Sequence, residues 1–421
     1  MGGREATATV KCDVQLRRIP YPYRAMLAIC SDLDETPDRR MYCGIMRFLN
    51  TTETTAMGPG AGLEAGDSIY FDMPPDQFAY WNTDDAGREM VRTLIRSGHI
   101  DCLHSYGDLA TTRAHAGRAL DELNRHGCRL EVWVDHAAAP TNFGADTMQG
   151  HGDEPGHHAY HSDLTTGQGV RYVWRGRVTS VIGQDVSPSL GGLFDARQPL
   201  RSAKTVAKEA AKRVLARTGS RKYAMHGHNR LMSKAKLRDG ALVYEFLRCN
   251  PHCGGVSSCD TGREIDRVLT DAMLERLADR EGACVLYTHL GKIRDPREPL
   301  GSSAVAAFHR LAEAQRRGRI LVTTTRRLLG YWQAIRELSY TVSHDEAGLR
   351  IEVQTAAGVH TGNGGADPRD LDGLTFYVDE PERTRLTING KYVPNVRRNV
   401  PDHTGRKSVS LPWRRLEFPE L

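Results

Sequence analysis

The amino-acid sequence predicts a mixed α/β fold, in which a seven-stranded (β/α) barrel is followed by a small all-β module. The first three-quarters of the chain alternates short apolar runs with amphipathic segments, which is the pattern of βα units around a largely parallel sheet. From about residue 336 the chain changes to short alternating runs separated by Gly, Pro and Asp turns, which is typical of a small β-sandwich. We therefore predict an N-terminal extension over 1–20, the barrel over 21–335 and the β-rich module over 336–421.

Seven apolar runs have the length and composition of buried strands. They predict strands over 25–32, 99–105, 129–136, 170–174, 241–249, 283–289 and 319–325. Amphipathic segments that close on Gly, as helices often do, predict helices over 84–98, 110–127, 264–282 and 303–318. Two regions, 51–83 and 140–169, interrupt this alternation, and we interpret them as long loops of the kind that carries function.

Composition and charge limit the class of protein. The chain has 421 residues, of which 39% are hydrophobic and 26% charged, and these values are typical of a soluble globular protein. We find no signal-peptide core and no membrane span, and the nine scattered cysteines favour reduced thiols, so we expect a cytoplasmic protein without a membrane partner. A net charge of +5 is too mild to indicate nucleic acid binding. The basic run over 201–238 fits either a solvated surface or an anion-binding rim.

Polar side chains follow four of the predicted strands at their carboxyl ends. These side chains lie in the segments Asp32–Asp34, His104–Asp108, Asp135–His136 and Thr288–His289. The carboxyl ends of the strands of a (β/α) barrel converge at one face, where active sites form. Carboxylate and imidazole ligands with few thiolates suit a hydrolytic metal such as Zn²⁺, Co²⁺ or Mn²⁺. The sequence therefore predicts a divalent metal site at this face.

A catalytic metal site of this kind needs more than its ligands. About three protein ligands leave a position for water, whose pKa falls toward about 7 on the metal. A carboxylate beside the metal then accepts the proton of the water, and a cationic His on the opposite side protonates the leaving group. Since successive side chains of a strand point to opposite faces, Asp32 and Asp34 share a face and can both reach one site.

The order of these motifs resembles that of the polysaccharide deacetylase superfamily, also called the NodB-homology or carbohydrate esterase family 4 proteins. The segment SDLDE resembles the family's first motif, which holds the base and a metal-binding aspartate. HSYGD resembles its metal-binding His motif, and VLYTHLG resembles its last motif, which carries the catalytic acid. The resemblance covers roughly residues 21–335 and implies a distorted barrel of the glycoside hydrolase/deacetylase type.

The resemblance also implies roles for individual residues. Asp32 would be the catalytic base and His289 the catalytic acid. Leu33 separates two aspartates that are adjacent in the family, so the division of roles between Asp32 and Asp34 stays open. Asp108 stands where the family has a second His. By the same resemblance one divalent ion, with Zn²⁺ expected first and Co²⁺, Mn²⁺ or Ni²⁺ as alternatives, would be bound by Asp34, His104 and Asp108.

Five further residues are candidates for substrate binding. His136 and Asn142 lie in WVDHAAAPTNFG, which occupies the place of the family's Arg-x-Pro motif without matching it, and both are open to binding substrate, orienting the base or joining the metal. His161 lies in the second long loop, and it is open, like His136, as an additional metal ligand. Trp81 ends an aromatic insert and could stack on a sugar ring. Arg230 lies in the basic segment and could contact a phosphate or carboxylate.

These observations favour metal-dependent hydrolysis of a non-peptide C–N amide bond. The expected reaction is N-deacetylation of an N-acetylated amino sugar or sugar-containing metabolite, which would be a small molecule or an oligosaccharide. Two alternatives stay open: a catalytically inactive barrel that binds glycan, and the same metal site acting on an O-acyl ester or a glycosidic bond. The sequence has no Walker-type or dinucleotide-binding Gly-rich loop, which argues against a nucleotide cofactor.

Overall fold

The computed structural model describes residues 14–32, 36–293, 295–355 and 368–421. Contacts divide the chain into two units. The larger unit comprises Tyr23–Gly330 together with Arg415–Leu421. The smaller unit comprises Tyr331–Arg414 together with the described residues up to Pro22. Asp34, a predicted metal ligand, lies outside the described residues.

The strands of both units are mostly short. In chain order they are β1 (Gln15–Arg17), β2 (Ala25–Ser31), β3 (Thr54–Thr55), β4 (Gly58–Pro59), β5 (Gly66–Ile69), β6 (Ile100–His104), β7 (Val132–Val134), β8 (Tyr172–Trp174), β9 (Val178–Thr179), β10 (Met232–Lys236), β11 (Leu242–Phe246), β12 (Arg248–Cys249), β13 (Ala283–Thr288), β14 (Ile320–Thr323), β15 (Ser339–Asp345), β16 (Gly348–Gln354), β17 (Thr375–Tyr377), β18 (Thr384–Ile388), β19 (Lys391–Tyr392), β20 (Arg397–Asn399) and β21 (Ser408–Ser410). All seven predicted strands are present, and the predicted strand over 241–249 is divided at Leu247 into β11 and β12.

A large curled sheet, rich in parallel pairs, forms a half-barrel in the larger unit. Its strand order is β10-β11-β8-β7-β6-β5-β2-β13-β12-β9, and β14 also pairs with β2. The pairs along β8-β7-β6-β5-β2-β13 are all parallel, whereas β10 runs antiparallel to β11. Every residue of β2 is buried, as expected for a central parallel strand that is covered on both faces.

Strand β5 lies inside the region that the sequence predicts as a loop over 51–83. It pairs with β2 on one side and with β6 on the other, so it forms part of the sheet. Its sequence, GDSI, contains one large apolar residue and no run that would predict a buried strand. Neighbouring elements bury it, and this tertiary effect cannot be read from the local sequence.

Nine α-helices accompany the strands in the described part of the chain. They are α1 (Arg39–Asn50), α2 (Asp85–Ser97), α3 (Arg113–Arg125), α4 (Ser162–Gly167), α5 (Pro199–Arg217), α6 (Ala224–Gly227), α7 (Asp271–Arg280), α8 (Ser302–Arg316) and α9 (Thr325–Glu337). The predicted helix over 264–282 is interrupted, because α7 begins only after Thr270, whose side chain accepts a hydrogen bond from the backbone of Met273. Among the described residues, no helix combines the length and the apolar character that crossing a bilayer requires.

One apolar core joins the large sheet to its helices. It contains Leu27 and Ile29 of β2 together with Phe48 of α1 and Leu311 of α8, and all four side chains are fully buried. Phe48 also packs edge-to-face against Phe308 of α8, with ring centroids 6.1 Å apart. Burial of each such side chain stabilises the fold by about 1.5–3 kcal/mol. The core thereby fixes β2, whose carboxyl end leads into Asp32.

The smaller unit contains two four-stranded sheets. One has the order β1-β17-β21-β20 and is antiparallel throughout. The other has the order β15-β16-β18-β19, in which β16 and β18 run parallel. The β-rich character predicted for the end of the chain is therefore present, and β1, from the predicted N-terminal extension, contributes a strand to it.

Gly107 allows two loops of the larger unit to approach each other closely. It follows β6 and adopts a φ of 100°, a region that residues with a Cβ rarely enter. A Cβ at this position would lie 2.1 Å from the carbonyl oxygen of Asp72. That same oxygen accepts a hydrogen bond from the backbone of Leu109 (3.0 Å). The loop after β5 and the loop after β6 are thus held together where Gly107 has no side chain.

We expect Gly107→Ala to lower the free energy of unfolding by at least about 2 kcal/mol, because it adds positive-φ strain to a backbone clash. Gly117→Ala is the matched control, since Gly117 lies in α3 and an added Cβ there has no heavy atom within 4 Å. This control should be neutral or stabilising by about 0.5–1 kcal/mol. Urea denaturation measures both values, and equal effects would contradict the role of Gly107.

Candidate functional site

Six adjacent strands supply polar side chains to one region of the curled sheet. The strands are β7, β6, β5, β2, β13 and β12, which are consecutive in the sheet order. Most of the side chains lie at or just after the carboxyl ends of their strands, as the sequence predicts for a parallel sheet. The residues are His136, His104, Ser68, Tyr70, Asp32, His289 and Arg248.

A buried ion pair joins Asp32 to Arg248. Nη1 of Arg248 donates to Oδ2 of Asp32 at 2.8 Å, and Nη2 donates to the carbonyl oxygen of Cys30 at 2.7 Å. The guanidinium lies between the rings of Trp174 and Tyr287, at 4.7 and 4.6 Å from their centroids. Burial alone lowers the pKa of Arg248, but the charge and hydrogen bond of Asp32, together with the nearby Cys30 and Tyr287 side chains, outweigh burial and raise it. Arg248 therefore stays cationic although it is fully buried.

Asp260 orients the imidazole of His289. Oδ2 of Asp260 lies 3.2 Å from Nδ1 of His289, and the backbone carbonyl of Asp260 accepts a hydrogen bond from the backbone N–H of His289 (2.6 Å). Burial raises the pKa of Asp260, but its contact with His289, together with a backbone hydrogen bond and the charge of Lys292, outweighs burial and lowers it. The anionic carboxylate thus favours a proton on Nδ1, and Nε2 lies 3.9 Å from Oδ2 of Asp32.

One ring nitrogen of His104, Nδ1, faces oxygen atoms, and we call it the outer nitrogen. It lies 3.2 Å from Oγ of Ser68 and 3.8 Å from Oδ1 of Asp32. The Ser68 hydroxyl donates to the carbonyl oxygen of Ser31 (3.2 Å), so its lone pairs are left to accept from Nδ1–H of His104. In a neutral His104 the proton then lies on Nδ1, and Nε2 carries a lone pair.

His136 is oriented in the corresponding way by Asp108. Nε2 of His136 lies 3.1 Å from Oδ1 of Asp108, and this hydrogen bond lowers the pKa of Asp108. The backbone of His136 donates to Oδ1 of Asn142 (2.9 Å), whose amide donates back to the His136 carbonyl oxygen (3.0 Å). In a neutral His136 the proton lies on Nε2, so Nδ1 carries the lone pair.

The remaining ring nitrogens of His104 and His136, which we call the inner nitrogens, face each other. Nε2 of His104 lies 3.3 Å from Nδ1 of His136. Two imidazoles bound to one tetrahedral Zn²⁺ through bonds of about 2.0–2.1 Å have nitrogens about 3.3 Å apart, so the pair fits a shared metal ion. Within the described residues there is no group of three or more His, Cys, Asp or Glu that could hold a metal. Asp34, the remaining predicted ligand, is outside that set.

Among the predicted site residues, the structure brings together Asp32, His104 and His289 through the contacts given above. It adds His136 to them through the inner nitrogen of His104. Asp108 contacts the outer nitrogen of His136, with 40% of its side chain exposed. Asn142 is fully buried and holds the backbone of His136, so it positions that residue.

His161 lies in an aromatic core, with both ring nitrogens engaged. Nδ1 contacts Oγ1 of Thr165 and Nε2 contacts the carbonyl oxygen of Thr141, each at 2.8 Å. Its ring packs against those of Trp133 and Phe143, with centroids 5.2 and 5.0 Å apart. Burial lowers the pKa of His161 to about 4. Because these contacts engage both ring nitrogens, they indicate a structural role for His161.

Trp81 and Arg230 are the other two predicted substrate-binding residues. Trp81 packs edge-to-face against Tyr80, with centroids 4.9 Å apart, and Arg118 covers its ring at 5.0 Å. These contacts place Trp81 within the packing of the insert. Arg230 is exposed, and its backbone N–H donates to the carbonyl oxygen of Met225 (3.0 Å). Substrate binding by either residue stays a prediction.

Sequence reasoning missed four residues of the site. Ser68 lies in β5 and Tyr70 directly follows it, inside the region that the sequence predicts as a loop, so no predicted strand end drew attention to them. Arg248 interrupts the apolar run ALVYEFLRC, and an ionisable residue inside such a run is a signal that could have been used. Asp260 lies in a loop and carries no recognisable local signal. The four residues are Ser68, Tyr70, Arg248 and Asp260.

We expect Arg248→Met to lower the free energy of unfolding by about 3–5 kcal/mol, because it leaves the Asp32 carboxylate buried without its cation. Adding Asp32→Asn should recover part of this loss, since the buried negative charge is then removed as well. Urea denaturation of the two single variants and the double variant measures the coupling. Strictly additive effects would show that the two side chains do not stabilise each other.

We expect His161 to make the fold sensitive to acid. Its pKa in the folded state, about 4, lies below its ordinary value of 6.5. As the pH falls from 6.5 to 4 the unfolded chain binds the proton first, so stability is lost over this window, by about 3 kcal/mol. His161→Gln removes the imidazole, and with it this dependence of stability on pH. The stability difference between the native chain and the variant should therefore shrink by that amount, and a difference constant with pH would contradict it.

Comparison with known proteins finds no relative of this chain. Models of protein families, curated protein sequences and solved structures all give no match. The resemblance to polysaccharide deacetylases, which depends on three short motifs, therefore stays a prediction.

Proposed function

We propose that this protein is a divalent-metal-dependent hydrolase of a non-peptide C–N amide bond, which removes acetyl from an N-acetylated amino sugar or sugar-containing metabolite. One observation carries the proposal: the Asp32 carboxylate lies between the imidazole of His104 and that of His289. Oδ1 of Asp32 is 3.8 Å from His104, which belongs to the inward-facing histidine pair. Oδ2 is 3.9 Å from His289, which is oriented by its own carboxylate.

The histidine pair is the part of the site that supports a metal. We assign the metal to Nε2 of His104 and Nδ1 of His136, with Asp34 as a further predicted ligand. A ligating His commonly donates its other N–H to an oxygen acceptor, and Asp108 and Ser68 are such acceptors here. In this assignment His136 takes the ligand position that the sequence suggested for Asp108. When bound, the metal supplies an activated water and polarises the acyl oxygen.

Asp32 has the surroundings expected of the catalytic base. Its Oδ2 accepts a hydrogen bond from Arg248, which compensates the negative charge. Its Oδ1 is buried and has no hydrogen-bond partner among the described residues. An unpartnered carboxylate oxygen beside the histidine pair can accept the proton of an attacking water. We therefore keep the assignment of Asp32, rather than Asp34, as the base.

His289 has the surroundings expected of the catalytic acid. Oδ2 of Asp260 lies 3.2 Å from its Nδ1 and favours a proton on that nitrogen. Nε2 then faces the Asp32 side of the site, where it can donate a proton to a departing amine. The base and the acid are thus held by two different partners, Arg248 and Asp260.

The finer description of the fold is also part of the proposal. We infer that the curled sheet is a distorted seven-stranded barrel of the glycoside hydrolase/deacetylase type. β11 pairs with β8, and β12 pairs with β13, although only Leu247 separates β11 from β12. One short segment, 242–249, thereby links the two ends of the path β8-β7-β6-β5-β2-β13. This connection supports closure of the sheet around the site.

We expect protein loaded with Zn²⁺ or Co²⁺ to release acetate from N-acetylated amino sugars. Asp32→Asn and His289→Ala should each lower kcat by about 10²- to 10⁴-fold, because each removes a proton-transfer group. Acetate release measures turnover, and metal analysis shows whether each variant retains its ion. Normal turnover in either metal-replete variant would contradict the assigned role.

Matched controls are available on the surface of the larger unit. Asp121 and His158 are exposed, so Asp121→Asn and His158→Ala make the same chemical changes away from the site and should leave turnover unchanged. If the metal-loaded protein releases acetate only from O-acetylated sugars, its activity is ester hydrolysis and not amide hydrolysis. Metal-loaded protein that releases none from either class would contradict the proposed reaction.

A further inference from the structure

Tyr70 places a phenolic oxygen at the histidine pair. It directly follows β5 and is 3% exposed. Its ring stacks on that of His104, with centroids 4.4 Å apart and an interplanar angle of 24°. Its hydroxyl oxygen lies 3.0 Å from Nδ1 of His136. The same nitrogen lies 3.3 Å from Nε2 of His104, so two polar atoms approach a single nitrogen.

One imidazole nitrogen cannot satisfy both neighbours well. A ring nitrogen has either one proton or one lone pair in the ring plane. Nε2 of His136 faces the Asp108 carboxylate, which leaves the lone pair of a neutral ring on Nδ1. This lone pair can accept a hydrogen bond from the Tyr70 hydroxyl, but Nε2 of His104, which carries a lone pair in a neutral ring, has no proton to donate to it. A cation placed among the phenolic oxygen and the two nitrogens would instead engage all three atoms.

The position of the Tyr70 hydroxyl is fixed by its surroundings. The carbonyl oxygen of Tyr70 accepts a hydrogen bond from the backbone of Tyr80 (2.9 Å). Its side chain belongs to a small buried cluster with Met73 and Ala79. The ring is also confined by the stack on His104. A preorganised oxygen of this kind suits a ligand, because little side-chain freedom remains to be lost on binding.

We propose that Tyr70 is a protein ligand, through its phenolic oxygen, of the divalent metal held by His104 and His136. This inference rests on the proposed function, because it uses the metal site assigned there. Binding forms a metal–oxygen bond and releases the phenolic proton to solvent, and no electron is transferred. The site then presents two nitrogens and one phenolate oxygen from three adjacent strands, β5, β6 and β7.

The competing role for Tyr70 is that of a hydrogen-bond donor that only orients His136. Loss of metal affinity cannot separate the two roles, since removal of an orienting partner also costs about 10- to 100-fold in affinity. A readout specific for a metal–phenolate bond is needed. Cu²⁺ is a suitable probe, because it accepts nitrogen and oxygen ligands, and a phenolate bound to it gives a visible charge-transfer band.

The experiment is Cu²⁺ titration of the metal-free full-length protein, followed by absorption, resonance Raman and electron paramagnetic resonance spectroscopy. We expect a charge-transfer band whose Raman spectrum contains phenolate ring modes, together with coupling of Cu²⁺ to two imidazole nitrogens. Tyr70→Phe should abolish the band and retain the nitrogen coupling. Tyr160→Phe is the matched control, because Tyr160 contacts Arg113 and Asp239 instead, and it should retain the band.

The possible outcomes test the role of Tyr70 and the histidine metal site separately. Nitrogen-bound Cu²⁺ without a phenolate band in the native chain would overturn the role of Tyr70 and leave the histidine site intact. A band that survives in Tyr70→Phe would also overturn it. Spectra unchanged in a His104→Ala, His136→Ala double variant would overturn both this inference and the proposed metal site. Circular dichroism confirms the fold of each variant, and Tyr70→Phe keeps the stacked ring.

Discussion

The buried guanidinium of Arg248 is the group on which the arrangement of the site depends. A fully buried cation is costly unless opposite charge and hydrogen-bond acceptors surround it. Asp32 and the carbonyl oxygen of Cys30 provide these, and the rings of Trp174 and Tyr287 enclose the guanidinium faces. Because one carboxylate oxygen of Asp32 is held by this cation, the other oxygen is directed toward the histidine pair. The ion pair therefore sets the geometry of the proposed base.

The three histidines of the site are oriented in the same way. Each has one ring nitrogen turned toward an oxygen acceptor: Ser68 for His104, Asp108 for His136 and Asp260 for His289. An acceptor of this kind fixes both the tautomer and the orientation of the ring. The remaining nitrogen of each ring then has a defined character. Two of them face each other as lone pairs, and that of His289 faces the base.

Much of the sheet could be predicted from sequence, because long apolar runs bounded by turn residues leave few alternatives. Asp32, His104 and His289 could be identified for the same reason, since each ends such a run. Strand β5 could not, because its four residues are buried by their neighbours and not by their own hydrophobicity. The sequence also could not separate His136 from His161, because only the folded chain brings Thr165 and the Thr141 carbonyl oxygen to the two ring nitrogens of His161.

The departure of the second motif from the resembled family has a structural explanation under the proposed function. The segment HSYGD carries Asp108 where that family has a His. In this chain His104 pairs in register with Val134 of the adjacent parallel strand, and His136 follows Val134 by two residues. Adjacent strands lie about 4.8 Å apart, so a side chain after β7 can occupy the space that one after β6 would otherwise fill. A ligand supplied by the neighbouring strand preserves the site while it breaks the spacing of the motif, and Asp108 then orients the ligand instead of being one.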